Sequence, residues 1–82
     1  MNKGTIMSNK FIPTKRQLLG LHRLLNFLCD AEIEWHSIFI SSGRIAVKTE
    51  PLKGDIDIRI FKINEKGGID DDEFREQIQR FD

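Results

Sequence analysis

The chain has 82 residues, 39% hydrophobic and 32% charged, with 13 basic side chains against 13 acidic ones. That describes one domain near the lower size limit for a self-sufficient core, too apolar to be disordered and lacking the net positive charge of a general nucleic-acid binder. A single cysteine, Cys29, excludes an internal disulfide and suits a reducing compartment.

The charges are nevertheless unevenly placed. Lys3, Lys10, Lys15, Arg16 and Arg23 outweigh Asp30 in the leading segment, whereas Asp70, Asp71, Asp72, Glu73, Glu76 and Asp82 crowd the end. A basic start and an acidic finish around an Ile-rich middle favour docking onto a charged protein partner.

Residues 1–12 read as a flexible N-terminal arm ahead of a single domain over 13–82. Met7 offers an alternative start, so residues 1–6 are expected to be dispensable. The N-terminus has no apolar stretch of signal-peptide length. Leu18 to Cys29, the longest apolar-rich run, is broken by Gly20, His22, Arg23 and Asn26 and falls short of the ~20 apolar residues of a membrane-spanning helix. A cytoplasmic location is expected.

The first helix is signalled by Thr14, which can cap it, and by Gln17 three residues on, which completes a capping box. Leu18, Leu21, Leu24, Leu25, Leu28 and Cys29 then recur at helical spacing as its buried stripe, to about residue 31. Phe27 lies on the other side, beside Arg16 and Arg23. Either the arm (Phe11, Ile12) folds over it, or Arg16, Arg23 and Phe27 form an exposed basic-aromatic contact surface.

Strands are expected near 33–41, 44–50 and 55–63, from β-branched and aromatic enrichment and period-two alternation. Pro51 and Gly54 mark the second loop. Ile56, Ile58 and Ile60 form the cleanest alternation and are expected to point inward. The closing helix is expected over 70–81, its first turn filled with acids that suit the helix dipole, and Phe74, Ile78 and Phe81 as its buried face.

The first hairpin has two registers, and a slip of one residue reverses every side chain. A Ser42-Gly43 loop pairs Ile40 with Ile45 and leaves Trp35 and Phe39 outside. A Ser41-Ser42-Gly43 loop pairs Phe39 with Ile45 and brings Trp35 into the core. The three-residue loop is favoured, because Gly43 supplies the left-handed third position and burying Trp35 and Phe39 removes more apolar surface. It leaves Ile38, Ile40, Ala46 and Phe61 on the free sheet face, rimmed by His36, Arg44, Lys48 and Arg59. Such a face suits a docked partner or a second copy of the chain.

Residues that would carry chemistry are sparse. His22 borders the apolar stripe of the first helix. His36 and Ser37 are strand neighbours and point to opposite faces, which does not make a nucleophile-base pair. Aligning Gly67 with the glycine of a calcium loop places Lys62 and Lys66 at ligand positions, which excludes an EF-hand. Gly67-Gly68 ahead of a helix is followed by four acids that would repel phosphate. Neither catalytic residues nor a metal or cofactor are expected.

The element order, helix, three strands, helix, resembles that of the double-stranded-RNA-binding domain over about residues 13–82. That family meets RNA phosphates with a lysine-rich start of its closing helix. The matching positions here are Asp70, Asp71, Asp72 and Glu73, so the resemblance implies shared topology with reversed charge at that surface.

The sequence thus leads to an α+β domain, a three-stranded antiparallel sheet with two helices on one face. The function expected is a small protein-binding regulator or inhibitor, of the kind found among phage and mobile-element accessory proteins that act in host takeover, anti-defence or lysis control. Two alternatives stand beside it. One is a nucleic-acid binder using Lys10, Lys15, Arg16 and Arg23, and the other is a small ribonuclease using His36.

Overall fold

Thr14 and Gln17 start the first helix as their spacing predicts. In the computed structural model, which describes residues 11–51 and 56–81, the Gln17 amide donates to Thr14 Oγ1 at 3.0 Å. The Thr14 amide donates in return to Gln17 Oε1 at 2.9 Å. Helix α1 spans Lys15–Asp30. It ends in a Schellman turn, with the Ile33 amide bonded to Leu28 O and the Glu32 amide to Cys29 O. Glu32 occupies the left-handed position there, at φ 58°.

Three strands follow, β1 (Trp35–Ser41), β2 (Arg44–Thr49) and β3 (Arg59–Ile63), paired antiparallel in that order. A short helix α2, Arg75–Gln79, closes the fold. The α+β class and the α-β-β-β-α order are therefore those read from the sequence. Of the expected arm, residues 1–10 lie outside the described residues; Phe11 packs against the core and Ile12 is exposed. Most of the expected loop at 51–54 also lies outside them.

The hairpin register differs from the favoured expectation. Ile40 opposes Ile45 and Ile38 opposes Val47, so the loop is Ser42-Gly43 alone. Both residues have positive φ, 52° and 77°, as a type I′ turn requires. The twist of that turn matches the twist of the strands it joins, which decides the register even though Ser42 lacks the freedom of glycine.

The phase of β3 is also reversed. Phe61 and Ile63 point into the core, opposite Val47 and Ile45, and both are fully buried. Ile56 is 93% exposed, and Ile58 and Ile60 are exposed as well. The isoleucine alternation changes step between Ile60 and Phe61, and the phase that buries the phenylalanine wins.

The stripe of α1 is turned from the expected one. Its buried residues are Gln17, Gly20, Leu24, Phe27 and Leu28, whereas Leu18 and Cys29 are exposed. The rotation makes room for α2. Phe27 meets Phe74 at 5.9 Å and Phe81 at 5.7 Å between ring centroids, and Phe74 meets Phe61 at 6.2 Å. Phe74, Ile78 and Phe81 do form the buried face of the closing segment, with Ile78 fully buried. The regular helix is shorter than expected: its N-cap is Phe74, with no side-chain cap, and the acids fall in the turn before it. Asp71 Oδ1 accepts from the amides of Glu73 and Phe74 at 3.0 and 2.8 Å.

Gln17 also ties the layers together. Its Nε2 donates to Gly43 O at 2.9 Å and lies 3.5 Å from Ile63 O, so a capping residue also holds the hairpin turn and the end of β3.

Candidate protein-docking surface

Strand β1 is seven residues, WHSIFIS, on the outside of the sheet. A strand there presents a row of backbone donors and acceptors that no other strand among the described residues takes up. Edge strands are usually blunted by lysine, proline or charge. Here β1 has neither lysine nor proline, its one ionisable side chain is His36, and its one irregularity is a bulge between Trp35 and Ser37.

Its large side chains lie open. Trp35 is 45% exposed, Ile38 41%, Phe39 39% and Ile40 49%. The pairing tells which face each one takes. Trp35, Ile38 and Ile40 oppose Thr49, Val47 and Ile45, all buried toward the helices. Phe39 opposes Ala46 and lies on the free face, in one row with Lys62. Ile60, opposite Lys48, shares that face.

The helix layer covers β1 only in part, leaving Trp35, Ile38 and Ile40 roughly half exposed. Phe27 on one flank of α1 packs on α2, and Gly20 on the same flank packs on Gly67, just past the end of β3. By helical geometry the opposite flank, with Leu18, Leu21 and Leu25, looks toward the β1 side. A strip of apolar surface results, with Trp35, Ile38 and Ile40 as its floor.

The candidate residues therefore divide. Ile38 and Ile40 are exposed, but at the edge of the helix-covered face and not on the free face. Phe61 is in the core and cannot contact a partner. Phe27 is 7% exposed and covered by α2, so it makes no basic-aromatic surface with Arg16 and Arg23. Arg16 is exposed and Arg23 half-buried. Lys48 is half-buried on the free face.

The rest of the expected basic rim is engaged internally. Arg59 donates to Asp71 and Glu73, each at 3.0 Å, and its guanidinium lies 5.0 Å from the Phe74 ring centroid. Arg44 Nε donates to Asp70 at 2.6 Å. His36 faces the Glu50 carboxylate. The acidic run is thus a set of internal partners for strand arginines, and its 12- to 26-residue separations from them leave no local signal in the sequence.

Sequence reasoning missed Trp35, Phe39 and Ile60 as surface residues. The usable signal was the Ser42-Gly43 pair, which suits a two-residue turn. Among the described residues, no three His, Cys, Asp or Glu side chains converge in a way that could hold a metal ion. No helix among them is long and apolar enough to cross a membrane.

Compared with models of known protein families, with curated proteins and with solved structures, the chain matches none. Strand β1 is therefore the feature from which function is read.

Proposed function

We propose that this chain is a small non-catalytic regulator or inhibitor that acts by docking another protein chain along β1, in the cytoplasm. One observation carries this reading: four large apolar side chains stand exposed on an edge strand that lacks lysine and proline. A docked strand gains backbone hydrogen bonds along the edge, and its side chains cover the isoleucines and Phe39. Such apolar anchors supply affinity, and exposed Arg16 at the start of α1 contributes steering charge.

The test is affinity capture from the source cell with the full chain and with Ile38→Glu and Ile40→Glu variants. The proposal expects prey bound by the parent to be lost from both variants while their melting temperatures stay within a few degrees. Prey retained by both variants but lost from Arg16→Glu/Arg23→Glu would move the surface to α1.

A further inference from the structure

Residues 37–41 of β1 read Ser-Ile-Phe-Ile-Ser, the same in both directions. An antiparallel two-fold pairing centred on Phe39 would set Ser37 against Ser41, Ile38 against Ile40, and Phe39 against itself. Each side chain would then meet one of its own kind.

The backbone has the parity this pairing needs. Ser41 and Arg44 flank the two-residue turn and form a hydrogen-bonded pair, as do Phe39 with Ala46 and Ser37 with Lys48, two and four residues further. The amides and carbonyls of Ile38 and Ile40 consequently point away from β2, to the open edge. These are the residues that exchange hydrogen bonds when Ile38 faces Ile40 of a second strand. The bulge lies outside the palindrome, between Trp35 and Ser37, so the segment is regular.

From this geometry we infer that the occupant of β1 is a second copy of the chain, joined edge to edge through Ser37–Ser41 in a two-fold dimer. The inference rests on the docking role of β1 proposed above and specifies the partner. Isologous interfaces require a self-complementary patch, and a palindromic edge strand supplies one. The segment carries no charge, so self-pairing sets no like charges opposite each other.

The result is one sheet of six strands, with the order β3-β2-β1 continued by its own reversal. A two-fold axis normal to the sheet keeps both helix layers on one side. Ile38 and Ile40 of both copies then lie together in the trough between the two α1 helices, where the flanks bearing Leu18, Leu21 and Leu25 face each other. On the other side the two Phe39 residues form a non-hydrogen-bonded pair, with Cα atoms about 4.5 Å apart. Ile38, Phe39 and Ile40, all exposed in one copy, meet their counterparts in the pair.

Sedimentation equilibrium of the full chain tests the inference. The mass is expected to rise with concentration from 9.6 kDa toward twice that value. Ile38→Lys and Ile40→Glu should each sediment as monomers. Mixed together they should recover the dimer, because the lysine introduced in one variant then faces the glutamate introduced in the other. A measurement without substitutions accompanies this: hydrogen exchange at the Ile38 and Ile40 amides should slow as concentration rises, whereas Ser37, Phe39 and Ser41 should be protected throughout. A chain that remains at 9.6 kDa over the whole range, or a dimer whose Ile38 and Ile40 amides stay unprotected, overturns the inference. The broader proposal would survive a monomeric result if Ile38→Glu and Ile40→Glu still lost captured prey, and would fail with it if they did not.

Discussion

Gly20 on α1 lies against Gly67 in the turn after β3 so closely that a Cβ on Gly20 would sit 2.5 Å from the Gly67 carbonyl oxygen and 2.9 Å from Ile63 Cγ2. Gly67 has φ +86°, and a Cβ there would meet the backbone of Arg16. The helix and the turn are in backbone contact, which only glycine permits. Gly20→Ala should therefore destabilise the chain by about 1–3 kcal/mol, the usual range for overpacking, as read by urea denaturation. Wild-type stability in that variant would show that α1 shifts without cost.

Phe61 and Ile40 offer a direct contrast between core and surface. Phe61→Ala should cost about 3–5 kcal/mol, enough to unfold most of so small a domain. Ile40→Ala should cost about 1 kcal/mol or less in dilute solution, since half of the side chain is already in water. Equal losses would place β1 in the core.

Trp35 is the only tryptophan, which makes its fluorescence specific. With 45% of its surface exposed, dilute protein should emit at long wavelength and be readily quenched by acrylamide. A blue-shifted, poorly quenched emission would contradict the register with Ser42-Gly43 as the loop.

Glu32 and Ser42 occupy left-handed backbone positions that glycine and asparagine adopt more easily. Glu32→Gly should stabilise the chain by about 0.5–1 kcal/mol, the left-handed strain relieved less the entropy cost of glycine. Ser42→Asn should act in the same direction. For a domain of this size each kcal/mol raises the melting temperature by about 4–8 °C, within reach of a thermal scan.

Generic double-stranded RNA should bind weakly at physiological salt. The start of the closing segment carries Asp70, Asp71, Asp72 and Glu73, and Arg44 and Arg59 are already paired with three of these acids. Sub-micromolar affinity with a steep salt dependence in an anisotropy titration would contradict this.

What the sequence made legible follows from how local each signal is. The Thr14-Gln17 box and the Phe74, Ile78, Phe81 spacing are contained within a turn or two of helix, and both appear in the structure. Hairpin register and the phase of β3 are choices between two faces. With isoleucine or phenylalanine on both, the choice depends on where α1 and α2 lie, which no local pattern records. The exposure of Ile38 and Ile40 was legible, but their face was not, because it turns on a single loop residue. Phe27 read as covered by the N-terminal arm or exposed, because its actual partners, Phe74 and Phe81, lie about fifty residues away.

Helix α2 has five residues, well below the ~12–15 at which an isolated helix begins to hold in water. Its helical state is lent by the rest of the fold, through the aromatic contacts of Phe74 and Phe81, the burial of Ile78, and the two arginines that grip its acidic approach. It is expected to open before the sheet when salt weakens those arginine pairs or heat loosens the rings, which hydrogen exchange at residues 75–79 ahead of β2 would show. Opening it would bare Phe27 and one side of Phe61 while the sheet is still intact. The chain therefore carries a second apolar surface, concealed in the native state and uncovered by the loss of its least independent segment.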